Sequence, residues 1–269
     1  VVRVDADHDP ELFWAVRGAG SAFGIATAFE MIADPVGDVA FAELTFAATD
    51  LARFFAQFGT AVDNAPRILT ASLLVGAGRT GRPNAIRVGA MVDSADPDEI
   101  LSVLQPLAAI ATLRDHDVRL RPYADVMAAP TGPQHGWGEP VSRSILVDRL
   151  SPAVARDLDT LLGSGRARVV GIRSAGGAVG DVGTQATAYA GRSASFSVVA
   201  LGFDDASLDA AWAPLARRAT GSYLSFESQL DAARLRLAFP PPTLERLQSV
   251  KRRVDPDDVF HDNVDLRRT

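Results

Sequence analysis

Between residues 38 and 226 the sequence passes twice through one series of periodicities, and this repetition restricts the possible fold more than any other feature. In the first pass "DVAFAELTFA" (38–47) alternates apolar and polar as a strand does, and "DLARFFAQFGTAV" (50–62) has helical spacing. "RILTASLLVGA" (67–77) and "AIRVGAMVD" (85–93) are strands, "DPDEILSVLQPLAAI" (96–110) is a helix with a capped acidic first turn, and a strand through Val118 follows. In the second pass "SRSILVDRL" (142–150) is a strand and "SPAVARDLDTLLG" (151–163) a helix. Strands "ARVVGIRS" (167–174) and "SFSVVALGF" (195–203), the helix "DDASLDAAWAPLARRA" (204–219) and a strand "SYLSF" (222–226) complete it. Two β-α-β-β-α-β units of this kind predict an α+β domain over 37–228, with one antiparallel sheet and helices on one of its faces. The longest loop, 123–140, lies between the units, where long loops are often functional.

The ends read differently. "VVRVD" (1–5) is a strand already under way at Val1, which marks the chain as a piece of a longer protein. "DPELFWAVRG" (9–18) predicts a helix with Asp9 as N-cap and Pro10 in its first turn, and "GIATAFEMIA" (24–33) a buried strand, before a break at 34–37. After Pro240 the helix "TLERLQSVKRRV" (243–254) and the tail "DPDDVFHDNVDL" (255–266) form a closing element. The division is therefore 1–36, 37–228 and 229–269.

Composition excludes several function classes. A net charge of −6, with arginines scattered among acids, argues against nucleic acid as a partner, and the one basic run, Lys251 to Arg253, is followed at once by Asp255, Asp257 and Asp258. The ratio of one lysine to 26 arginines is read as genome composition. Without cysteine there is no disulfide, thiolate nucleophile or cysteine-held metal. No apolar run spans a bilayer and no stretch has the form of a signal peptide, so the membrane is excluded as a partner and the cytoplasm is the expected location. "GRSAS" (191–195) lacks the last glycine of a nucleophile elbow. His8, His116, His135 and His261 lie too far apart for metal spacing, so no metal site is expected. The spacing Gly18-x-Gly20-x-x-x-Gly24 puts Phe23 where a dinucleotide fingerprint needs its third glycine, and the helix precedes the loop; a helix C-cap at Gly18 explains the same residues.

The whole phrase "DPELFWAVRGAGSAFGIATAFEM" nevertheless resembles the signature "PDLFWALRGGGGNFGVVT" of FAD-linked oxidases of the berberine-bridge and vanillyl-alcohol-oxidase type. "GGAVGDVGTQATAYAGR" (176–192), "SYLSF" (222–226) and "RLQSVKRRVDPDDVFHDNVDL" (246–266) resemble further phrases of that family, in the family's order. The resemblance implies the C-terminal portion of an FAD-dependent oxidoreductase that oxidises an alcohol, sugar or amine by hydride transfer to flavin. It also implies that FAD is held mostly by an N-terminal lobe outside this chain, that 1–36 and 229–269 belong to that lobe, and that 37–228 binds the substrate. This chain alone is then expected to hold FAD weakly and to be inactive. The remainder of the FAD lobe and a small-molecule substrate are the expected partners. A cofactor-free α+β interaction module or partner subunit is the alternative.

By the same resemblance Gly20, Phe23, Gly24, Ile25 and Ser225 are cofactor-side residues, and Tyr223 is the catalytic aromatic at the flavin face. As a base, Tyr223 needs its phenol brought well below about 10 by a cation or by hydrogen bonds. Tyr189 and Arg192 match the aromatic and arginine of the family's "TAFxHR", and His135 in the long loop is a candidate for proton transfer, so these three are assigned to the substrate. Arg192 is alternatively the partner of a carboxylate. The chain departs from the pattern at Ala19, Ala22, Gly191 and Ser225, where the family has Gly, Asn, His and Asn.

Overall fold

The computed structural model describes residues 1–78, 83–128, 140–261 and 264–267. Helix α1 (Pro10–Ala19) comes first, then strand β1 (Asp38–Ala47), helix α2 (Leu51–Asp63), strands β2 (Leu69–Gly76) and β3 (Ala85–Val92), helix α3 (Pro97–Ala108), strand β4 (Thr112–Pro122) and the short helix α4 (Tyr123–Met127). The second half contains β5 (Val141–Val147), α5 (Pro152–Gly163), β6 (Val169–Ser174), the short α6 (Ala178–Asp181), β7 (Phe196–Gly202) and α7 (Asp205–Ala216). Helices α8 (Ala232–Ala238) and α9 (Pro241–Val254) close the chain. No helix among the described residues is long and apolar enough to cross a membrane.

The strands form one antiparallel sheet in the order β4-β1-β3-β2-β6-β7-β5. The two units meet where β2 pairs with β6, Ser72 opposite Arg173. Alternation puts Ala42, Leu44 and Phe46 of β1, Leu73 and Val75 of β2, and Phe196 and Val198 of β7 on one face, in a core shared with Phe54, Phe55 and Phe58 of α2, Leu158 of α5 and Leu215 of α7. The helices start where their caps dictate: Asp50, Ser151 and Asp204 each accept a bond from the amide three residues on.

Three expected strands do not form. Residues 1–5 and 24–33 have no strand structure, and the latter are exposed, Phe29 at 78% and Ile32 at 100%. The apolar side chains of 24–33 have no sheet edge or facing layer among the described residues to bury against. The strand expected at 222–226 is replaced by a single bridge, Leu146 to Gly221, and a 3-10 turn at Leu224–Phe226. Side chains take over the next rungs on the β5 edge. Ser222 Oγ donates to the Ser144 carbonyl (3.2 Å), and the Ser144 amide donates to the Glu227 carboxylate (3.0 Å). The Ser142 amide donates to Ser228 Oγ (3.1 Å), and once hydroxyls and a carboxylate satisfy the edge the backbone is free to turn.

A second, separate apolar cluster joins the two ends of the chain. Trp14, Ala15, Ala19, Ala22 and Phe23 pack with Leu235, Phe239, Leu244, Leu247, Val250, Val264 and Leu266. Ion pairs of Glu11 with Arg246 and of Asp9 with Arg253 run along the contact of α1 with α9.

Candidate functional site

Helix α1 breaks at Gly18, whose φ of +153° is one that residues with a side chain rarely adopt. A Cβ there would stand 2.3 Å from the Tyr189 nitrogen, so the glycine also permits close approach of another backbone. That approach caps the helix. The amides of Ala188 and Tyr189 donate to the carbonyls of Trp14 and Arg17 (both 3.2 Å), and Trp14 Nε1 donates back to the Gln185 carbonyl (2.9 Å). Two of the phrases that carry the family resemblance are thereby bonded to each other.

Beyond Gly18 a 3-10 turn, Gly20–Ala22, is pinned from beneath. The chain's single lysine, Lys251, is buried with its three N–H groups directed at the Ala22 carbonyl (2.8 Å), Asp255 (2.6 Å) and the Phe260 carbonyl (2.7 Å). A compact ammonium with three donors meets three acceptors here, which a planar guanidinium would not do. Composition alone is therefore not the account of this lysine. Asp255 is held below the usual carboxylate range by the Lys251 bond first and the Phe260 amide next.

The turn, the 223–228 segment and the C-terminal tail enclose a cavity of about 960 Å³. Its lining includes Gly20, Ser21, Tyr223, Ser225, Glu227, Ser228, His261 and Asp265. Of the residues singled out in the sequence, Gly20, Tyr223 and Ser225 meet at this cavity. Tyr189 stands behind Tyr223 with the rings edge-on and centroids 6.0 Å apart, and burial pushes its phenol up, the neighbouring Tyr223 adding to the effect. Phe23 packs into the second cluster, while Gly24 and Ile25 lie outside the lining. Among the described residues Arg192 pairs with no carboxylate; it donates to Thr187 Oγ1 (2.6 Å) and the Val179 carbonyl (3.2 Å), bracing the loop behind Tyr189. At Gly191 a Cβ would lie 2.1 Å from Leu146 Cδ1, so the volume of a histidine at this position is already filled by Leu146 and Tyr189. His135 lies outside the described residues. His8 is bonded to Asp5 (2.8 Å), and among the described residues His261 is the histidine that lines the cavity.

The sequence reading missed Ser21, Glu227, Ser228, His261 and Asp265. Glu227 follows directly on "SYLSF", and a reader expecting the chain to turn there would have placed it at the cavity. Its carboxylate accepts from the Ser144 amide through one oxygen, and the other has no hydrogen-bond partner among the described residues. Burial pushes this carboxyl up to about 7, against the pull of the Ser144 amide, Arg234 and Arg143.

No protein-family model matches the sequence. The chain is 26% identical, along 99% of its length, to the FAD-linked oxidoreductase sorD of Penicillium rubens, and it spans 62% of that relative. Among solved structures it superimposes on BBE-like 1 of Physcomitrella patens with a TM-score of 0.81, at 17% identity over 98% of this chain and 62% of that one. The chain has the fold of the C-terminal portion of the berberine-bridge-type FAD-linked oxidases. Aclacinomycin oxidoreductase (TM-score 0.74, 20% identity) is covered to 68% by 98% of this chain. The xylooligosaccharide oxidase of Myceliophthora thermophila, solved with xylobiose (TM-score 0.73, 20% identity), is covered to 61% by 96% of it.

Proposed function

We propose that the chain is the substrate-binding portion of an FAD-dependent oxidoreductase and that its cavity receives the flavin ring beside a small alcohol, sugar or amine substrate. The observation that carries this reading is convergence: the glycine turn, the 223–225 turn and the closing tail, distant in sequence, line one cavity. The lining suits the ring rather than its diphosphate. Neither lysine nor arginine is among the described lining residues to hold a diphosphate, whereas the hydroxyls of Ser21, Ser225 and Ser228 offer donors and acceptors to a ring edge bearing both carbonyls and N–H. Gly20 leaves open space where a side chain would stand.

When bound, the flavin supplies a two-electron oxidant for a C–H bond. The chain's own residues have three tasks in this proposal. Gly20 and Ser225 contact the ring, with Phe23, Gly24 and Ile25 carrying the backbone away from it. Tyr223, backed by Tyr189, packs against the reacting groups, while Arg192 holds the loop beneath and His135 belongs to the substrate side. Residues 37–228 form the substrate lobe, and 1–36 with 229–269 are the parts of the flavin lobe that this chain contributes. A flavin absorbance spectrum of the purified full-length protein tests the reading. Bound flavin that xylobiose bleaches without oxygen supports a sugar-type substrate, and Gly20→Val should lower flavin occupancy while Tyr223→Phe keeps it and slows bleaching. A colourless protein favours the second reading, an interaction module, which the exposed strip of Ile25, Phe29, Met31 and Ile32 also suits.

A further inference from the structure

We propose that the outer edge of β4 pairs with the same edge of a second copy of this chain, so that the protein forms a two-fold dimer through one continuous sheet. This does not depend on the oxidase reading. Strand β4 ends the sheet: β1 lies on its inner side, and among the described residues no strand lies on its outer side. Its outward N–H and C=O groups are therefore open to another strand. Natural edges are blunted by bulges and prolines, and β4 has these at its two ends. Against β1 the register jumps from Asp115 opposite Thr45 to Leu113 opposite Phe46, which leaves Arg114 as an extra residue, and Pro122 closes the other end. Between them, Asp115 to Arg121 is a regular, unguarded edge whose middle residue is Val118.

The side chains of this edge are complementary to themselves. Asp115, Asp117, Arg119 and Arg121 stand opposite Thr45, Glu43, Phe41 and Val39 of β1, on the face away from the helices. His116, Val118 and Leu120 stand opposite the core residues Leu44, Ala42 and Ala40. The charges are thus antisymmetric about Val118. An antiparallel pair with its two-fold axis at Val118 places Asp115 opposite Arg121 of the second copy and Asp117 opposite Arg119, each pairing occurring twice. On the other face Val118 meets its own counterpart and Leu120 meets His116, which covers apolar side chains that are 43% and 51% exposed at Val118 and Leu120. Neighbouring registers fail. Centring the pair on Asp117 or on Arg119 sets that charge against itself. A centre between two residues sets Asp117 or Arg119 opposite Val118, so the charged face of one copy joins the apolar face of the other. Within one chain Arg119 already donates to Asp117 (2.9 Å), but this is an exposed pair worth little, and it leaves both side chains within reach of a partner.

Pairing at β4 leaves the cavity free. Strands β4 and β5 are opposite edges of the sheet, and the 223–228 segment that lines the cavity is bonded to β5. The second apolar cluster, which joins the two ends of the chain, includes Leu224 and Leu230 and so also lies at the β5 end. A second copy is therefore the occupant that fits the β4 edge, with the two cavities at the far ends of the joined sheet.

Sedimentation of the full-length protein tests this, and a monomer–dimer equilibrium is expected at micromolar concentration. Asp117→Arg sets arginine against arginine twice across the axis, and Arg119→Asp sets aspartate against aspartate. Each should weaken the dimer by about 10-fold or more with the melting temperature kept. Mixing the two variants should restore dimers, because the basic edge of one then faces the acidic edge of the other, which damage to the fold would not produce. Val118→Cys should link two copies under mild oxidation, since directly opposite Cα atoms lie about 4.5–5.5 Å apart, within disulfide range. Leu120→Cys, roughly 14 Å from its counterpart in this register, should not. A full-length protein that stays monomeric, whether the edge is bare or covered by the remainder of the chain, overturns the proposal. So does a dimer that both charge variants leave intact or that mixing fails to restore, and linkage through Leu120→Cys but not Val118→Cys refutes the register and the charge pairing with it.

Discussion

Replacing Gly18 and Gly20 separately by alanine distinguishes a glycine that holds the fold from one that serves the cavity. At Gly18 alanine must adopt φ +153°, ψ −29°, a strained region costing roughly 1–3 kcal/mol. Its Cβ would also meet the Tyr189 nitrogen at 2.3 Å and the Ala188 carbonyl carbon at 2.5 Å, so α1 and the 188–189 backbone must part. That stretches the two capping bonds at 3.2 Å, worth about 0.5–1.5 kcal/mol each. The expected loss is about 3 kcal/mol, or a fall in Tm of roughly 6–12 °C for a chain of this size. At Gly20 the backbone is already helical (φ −53°, ψ −40°) and a Cβ meets nothing within 4 Å, so alanine should be neutral or stabilise by about 0.5 kcal/mol. Thermal melts give the totals, and amide hydrogen exchange at Ala188 and Tyr189 locates the damage. A Gly18→Ala protein that melts with the wild type and keeps those two amides protected would refute the capping argument, as would a Gly20→Ala protein that falls equally far.

Lys251→Met should cost at least about 2 kcal/mol, because the buried carbonyls of Ala22 and Phe260 lose their donor; chemical denaturation measures it, and Lys251→Arg should not restore stability. Since the folded-state pKa of Glu227 is raised to about 7, the folded protein binds the extra proton below that value, and stability should fall as pH rises from about 4.5 through 7. Glu227→Gln removes this slope, so its stability relative to wild type should improve by up to about 3 kcal/mol between pH 5 and pH 8 in denaturant melts. Asp255 has the opposite sign: its pKa is lowered, so the stability it contributes above the ordinary carboxylate range should be lost only in strong acid, and in Lys251→Met acid unfolding should begin at higher pH. Phe29→Asp with Ile32→Asp should leave the melting of the 269-residue chain unchanged, because both side chains are exposed, and lower flavin occupancy in the full-length protein.

Local periodicity was sufficient for the strands and helices of both repeated units except the last strand of the second, since side chains at spacing two or 3.6 must face a common core wherever they lie in space. The glycine phrase was legible in the same way: Gly18 ends a helix because only glycine accepts its φ. Where the residues faced no partner along the chain, local pattern misled. "GIATAFEMIA" has a strand's composition, yet a strand needs an edge to pair with, and among the described residues it has none. "SYLSF" has an edge beside it in β5, but the hydroxyls of Ser222 and Ser228 and the carboxylate of Glu227 occupy that edge first. The properties of Lys251 and Glu227 were out of reach of the sequence for a related reason. A lysine becomes structural when three acceptors from residues 22, 255 and 260 converge on it. A glutamate becomes a holder of protons when aspartates 205, 209 and 231 have already claimed the arginines beside it. Periodicity is a property of neighbours in the chain, whereas burial and charge balance are sums over neighbours in space, which only the tertiary structure brings together.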